Sequence, residues 1–146
     1  MPEIEFKDLD QIPISLDKIV RRNRHLLAVE IASDDELAAV TGDIRTQGVI
    51  RSEILGWHLI ALRDLGQKQM TFHILGHLPG GTSWITSPVT VIARDHSLVQ
   101  TANSQYALGR RADAEPDLEL VLHVAFSIRR WGLDHAYDLG VIDVFY

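Results

Sequence analysis

Pro116-Asp-Leu-Glu-Leu-Val-Leu-His-Val-Ala-Phe-Ser-Ile-Arg-Arg-Trp131 is the stretch that decides the fold, because it fits two periods at once. Leu118, Leu120, Leu122, Val124, Phe126 and Ile128 alternate as a strand would. Glu119, His123, Ser127 and Arg130 instead fall on one narrow polar stripe of an otherwise apolar helix. The ends settle the conflict. Pro116 suits a first helical turn, Glu115, Asp117 and Glu119 are acidic at the positive end of the helix dipole, and Arg129 and Arg130 are basic at the negative end. Gly132 follows as a stop, so a helix is expected over 116–131. The polar stripe is expected to be a solvated helix face, with a cleft lining as the alternative.

Upstream of this helix the periodicity is that of strands. Met70-Thr-Phe-His-Ile-Leu75 alternates, with Met70, Phe72 and Ile74 on one face and Thr71, His73 and Leu75 on the other. Leu65–Lys68 and Leu78-Pro-Gly-Gly-Thr-Ser83 read as turns, and Arg94-Asp-His-Ser97 separates Thr90–Ala93 from Leu98–Thr101. Gln105–Leu108 closes the series. Residues 50–62 fit a strand, but also a helix with Ile50, Ile54, Trp57 and Ala61 on one face. Nearer the start, Ser15 can cap a helix that begins at Leu16; alternatively Arg21–Arg24 ends it and His25–Ala32 is a strand. Ser33-Asp-Asp-Glu36 spells a capping box, with Gly42 or Gly48 as the stop of the helix it opens. The expected fold is therefore α+β, in one domain over 1–146. A small antiparallel sheet over about 57–108 is packed by N-terminal helices and the C-terminal helix, with a candidate terminal strand over 141–146.

Composition bounds the chemistry. The chain has 146 residues and no cysteine, which excludes a disulfide scaffold, a thiolate zinc site and a cysteine nucleophile. Its net charge of −6 argues against generic binding to phosphate backbones. The small basic clusters at Arg21, Arg22, Arg24 and at Arg110-Arg111 are each flanked by acids, so nucleic acid is not the expected partner. The first ten residues lack the basic start and apolar run of a signal peptide. Gln69–Ala93 is uncharged but broken by Pro79, Gly80, Gly81 and Pro88, which excludes a membrane helix there. A cytoplasmic location and no membrane partner are expected.

Motifs for catalysis are sparse. His73 and His77 are four residues apart, but on a strand that spacing spans roughly 13 Å and the intervening residues carry no glutamate, so no metal is expected. The nucleophile elbow G-x-S-x-G is absent. Asp95-His96 reads as turn chemistry, and Asp134-His135 as solvated positions. The Gly80-Gly81 loop, with Thr82, Ser83 and the adjacent His77, could hold an anion on its amides, although a plain hairpin connection is the simpler reading. No cofactor and no catalytic residue is assigned.

The charge distribution is more telling than its sum. Residues 1–50 carry −4, residues 51–112 carry +3 and residues 113–146 carry −5, while between Gln69 and Gly109 only Arg94 and Asp95 are charged. Low charge with interspersed aromatics suits an interface core, for which Phe72, Trp84, Ile85, Val91 and Tyr106 are the candidates. The expectation drawn is a non-enzymatic module that binds a protein partner or itself as a homo-oligomer through this sheet. The alternatives are a sheet covered by its own helices, and a small enzyme or ligand-binding domain using His73, His77 and the Gly80-Gly81 loop.

Gly76-His77, Gly81-Thr82, Thr86-Ser87-Pro88-Val89 and Thr101-Ala-Asn-Ser-Gln-Tyr-Ala-Leu-Gly109 together resemble a β-meander signature of small uncharacterised bacterial and phage proteins. The resemblance covers about a quarter of the chain. It implies a β-meander and a bacterial or phage origin, and it carries over no activity and no site residue.

Overall fold

The computed structural model describes residues 15–44 and 48–141. It is an α+β fold built on a mixed sheet with the strand order β2-β6-β7-β8-β3-β4-β5, in which β1 also pairs β3. The strands are β1 (Leu27–Ile31), β2 (Thr41–Gly42), β3 (Ile50–Asp64), β4 (Gln69–His77), β5 (Ser83–Ile85), β6 (Val89–Ala93), β7 (Leu98–Thr101) and β8 (Gln105–Leu108). The helices are α1 (Asp34–Val40), α2 (Leu118–Arg130) and α3 (Leu133–Tyr137), preceded by a 3-10 turn over Leu16–Lys18.

The conflict over 116–131 resolves as a helix for the reasons its ends gave. Asp117 caps α2, its Oδ1 accepting from Leu120 N–H at 2.9 Å, with Pro116 just outside. Leu120, Val121, Val124, Ala125 and Ile128 form the buried face. Ser33 and Glu36 make the reciprocal capping box of α1. That helix stops at Val40, before either expected glycine, because Thr41 turns extended and pairs with Ile92 of β6.

Other expectations are refined. Residues 50–62 form a strand, and of the two readings of the first zone the strand reading holds: one 3-10 turn, then Leu27–Ile31 in β1. The sheet is not purely antiparallel, since β3–β8 and β2–β6 run parallel. These pairings join segments distant in sequence, where no hairpin turn announces them. The short strand β5 and helix α3 add to the expected elements. Residues 142–146 of the expected terminal strand lie outside the described residues; Val141 is buried and donates its N–H to Asp134 Oδ1 at 3.1 Å.

One edge of β3 pairs with β4 along most of its length. The other edge changes partner: Ile50–Ile54 pair with β8, and Ile60–Asp64 pair with β1. Between them Gly56, at φ +57°, bends the strand where its register with β4 shifts. Both faces beyond the bend are covered. Ile60, Leu62 and Leu75 pack against α2, while Trp57, Leu59 and Ile74 pack against Ile92, Val99, Tyr106 and Leu108. Burial on both sides explains why Leu59-Ile-Ala-Leu62 is continuously apolar.

The bend also dictates Gly76. A Cβ there would meet Ile54 Cγ2 at 2.7 Å and the Leu55 carbonyl oxygen at 2.8 Å. Backbone cannot yield as a flexible side-chain tip can, so Gly76→Ala is expected to cost roughly 1–3 kcal/mol in denaturant unfolding, as overpacking does. An unchanged midpoint would contradict the close approach of β4 to the bend.

Candidate functional site

The change of partner along β3 leaves a notch. Beyond Gly109 the chain follows β3 a little further, with Trp57 N–H donating to Arg110 O at 3.3 Å and Ala112 N–H to Trp57 O at 3.0 Å. From the opposite direction the end of β1 arrives, with Ala32 N–H donating to Leu59 O at 2.9 Å. Residues 110–115 then cross to the N-terminus of α2 and pass over His58. Openings of about 330 Å³ and 500 Å³ lie beside this crossing segment, and His58 lines both.

His58 is nine-tenths buried, and its ring makes no hydrogen bond among the described residues. Burial holds its pKa below the ordinary 6.5, opposed by the carboxylates of Glu115 and Asp117 and reinforced by Arg111 and His77. The ring is therefore a neutral imidazole at pH 7, with one nitrogen to donate and one to accept. Trp57, next to it, is fixed by its indole N–H to Gly109 O at 3.1 Å and carries the Arg111 guanidinium 5.6 Å above its ring.

His77 faces the first opening. Its Nδ1 lies 3.3 Å from Gly81 O and its Nε2 lies 3.2 Å from Asp117 Oδ2. Asp117 thus caps α2 with one oxygen and orients His77 with the other. Glu115 makes no hydrogen bond or ion pair among the described residues. Arg110 pairs with Asp113 at 3.3 Å on the rim, and Arg111 approaches the exposed Asp34 at 3.7 Å. No group of three or more His, Asp or Glu suited to a metal ion occurs among the described residues.

The structure separates the two histidines that the spacing placed together. His73 is 4% exposed and stacks on Trp131 with ring centroids 5.2 Å apart. Its Nδ1–H donates to Thr86 O at 2.8 Å, which leaves Nε2 to accept from Thr71 Oγ1–H at 2.8 Å. Both nitrogens are thus engaged within the protein, far along α2 from Asp117. The glycine loop is a hairpin connection: Gly81 N–H donates to Leu78 O at 2.9 Å, and both Gly80 and Gly81 have φ of +95°. Ser83 Oγ donates to Glu119 Oε1 at 2.8 Å, and Thr82 and Ser83 lie on a separate groove of about 370 Å³ between β5 and α2. The polar stripe of α2 contributes His123, Ser127 and Arg130 to this groove.

Comparison with protein-family models, with curated proteins and with solved structures found no match to this chain.

The interface candidates distribute over both faces of the sheet. Tyr106 is 3% exposed in the core, Phe72 and Trp84 pack against the same core, and Ile85 packs on the α2 side. Val91 is half-buried on β6, with its Cγ2 beside Gly42. In the N-terminal basic cluster, Arg22 pairs with Asp138 at 2.8 Å and Arg24 donates to the carbonyls of Val20 and Asp17. No helix among the described residues is long and apolar enough to cross a membrane.

Sequence reasoning passed over His58, although Gly56 two residues earlier was a usable signal. A lone glycine within a strand pattern marks a bulge or a close backbone approach. In the sequence Arg111 belongs to a basic pair flanked by acids, and Glu115 and Asp117 to the acidic start of a helix, so nothing local joins them to His58.

Two predictions follow from this geometry. Burial lowers the pKa of His58, His73 and His123, so the unfolded chain binds more protons than the folded one below the ordinary value of 6.5. The stability they contribute is complete above pH 6.5 and is lost as pH falls through their lower folded values. Denaturant midpoints measured from pH 7.5 to 5 are expected to fall, less steeply in His73→Gln; a rise on acidification would contradict this. Asp117→Ala is expected to cost about 1–2 kcal/mol through the lost cap and the lost His77 contact, whereas Asp117→Asn keeps the capping oxygen and costs less. Equal losses would show that the cap contributes nothing.

Proposed function

We propose that this chain is a binding domain for a small polar ligand, held in the notch between the bend of β3, residues 110–115 and the N-terminus of α2. The observation that carries the reading is His58: a nine-tenths buried imidazole with no hydrogen-bond partner among the described residues, lining both openings. Its ring nitrogens make no hydrogen bond among the described residues and still reach solvent in the notch, so a ligand there can use them as donor and acceptor. Arg111, Glu115 and the Asp117-oriented His77 supply further polar contacts around it. The ligand-binding alternative raised by the sequence is kept in this form, with His58 in place of His73 and the Gly80-Gly81 loop reduced to supporting His77.

The experiment is a fragment screen by NMR on the isotope-labelled protein. Binding fragments are expected to shift the resonances of His58, Ala112 and Glu115, and His58→Phe, which fills the notch, is expected to abolish those shifts while the fold is retained. Fragments that bind only elsewhere, or shifts that persist in His58→Phe, would overturn the reading.

A second reading is self-association or protein binding through the uncharged sheet of 69–109. What supports it is the α2–β5 groove, where Phe126 is 36% and Trp131 42% exposed beside the short strand β5. Light scattering tests it: a dimer weakened by Phe126→Glu is expected, and a monomer at every concentration would remove the self-association version.

A further inference from the structure

The charges around His58 are of both signs, and this bears on what the notch accepts. Two carboxylates, Glu115 and Asp117, line the notch, both close enough to favour a proton on His58. Glu115 has no partner among the described residues, while Asp117 shares its charge with His77. The Arg111 guanidinium lines the same openings and lies over Trp57, and its one carboxylate contact among the described residues is Asp34 at 3.7 Å, which is almost wholly exposed and screened by solvent. A purely anionic ligand at His58 would meet Glu115 and Asp117; a purely cationic one would meet Arg111. A ligand carrying both charges meets a complement to each, with the neutral His58 lining the same notch.

The openings of about 330 Å³ and 500 Å³ lie within the roughly 300–1,000 Å³ usual for small-molecule sites and suit a compact molecule. We infer that the notch binds a small zwitterion of amino-acid size, its ammonium group toward Glu115 and its carboxylate toward Arg111. This inference rests on the binding-domain reading above and names the ligand class for the same site.

The test uses the full chain and the twenty free L-amino acids, each compared with its N-acetyl derivative, which lacks the cation, and with its decarboxylated amine, which lacks the anion. Inorganic phosphate and acetate serve as plain anions. Binding is read from His58 ring resonances and from thermal stabilisation. At least one amino acid is expected to bind at His58, with affinity falling at least about tenfold in either derivative, as loss of a charge-assisted hydrogen bond does. Glu115 is exposed, so Glu115→Gln should fold normally; it is expected to weaken the amino acid by a similar factor and leave its N-acetyl derivative unaffected. Equal binding of an amino acid and either derivative would overturn the zwitterion inference. Perturbation of His58 by phosphate or acetate alone would overturn it too, while leaving the binding-domain reading intact. If no probe of any kind, fragments included, perturbs His58, both fall.

Discussion

Strand β3 offers two edges to its neighbours and uses them unequally. Along one edge β4 runs as a continuous antiparallel partner; along the other, parallel β8 and antiparallel β1 divide the strand between them. The bend at Gly56 makes this division workable, since it turns the first part of β3 toward β6–β8 and leaves the rest between α2 and the second core. Gly76 lets β4 stay close through the bend. Both hydrophobic clusters include residues of this single strand, Ile60 and Leu62 in one and Ile54, Trp57 and Leu59 in the other.

Where the two partners meet, residues 110–112 bond Trp57 and Ala32 bonds Leu59, and His58 lies between those two positions beneath the segment that runs on from β8 to α2. Partial burial favours the uncharged imidazole, whose ring nitrogens still open onto the notch, while the crossing segment brings Arg111 and Glu115 to the mouth. Capping of α2 fixes the remaining wall, because Asp117 holds the first turn and His77 together. The notch is thus a product of topology, with its polar groups set by elements that the fold needs in any case.

How far this could be read from the sequence depends on the range of each interaction. Ser33 with Glu36, and Asp117 with Gly132 at the far end of α2, act within a few residues, and local chemistry announced both helices. The turn at Leu65–Lys68 and the alternation in β4 were legible for the same reason. The split of β3 was not, because β8 and β1 reach it from opposite ends of the chain and no turn signals a parallel pairing. His58 looked ordinary for that reason: its isolation arises only where those two distant strands meet. The scarcity of charge between Gln69 and Gly109 was visible, and burial accounts for it only in part, at His73–Gly76 of β4 and at scattered positions of β6 to β8.

The meeting point of β8 and β1 leaves His58 neutral and without a hydrogen-bond partner among the described residues. Long-range proton–nitrogen correlation spectra of the histidine rings at pH 7.5 test it most directly. His73 should show one fixed tautomer with a protected Nδ1–H, as its bond to Thr86 requires, whereas His58 should be neutral with ring protons that exchange readily with water. A charged His58, or a slowly exchanging ring N–H on it, would mean that the protein already supplies its partner and that the notch is closed.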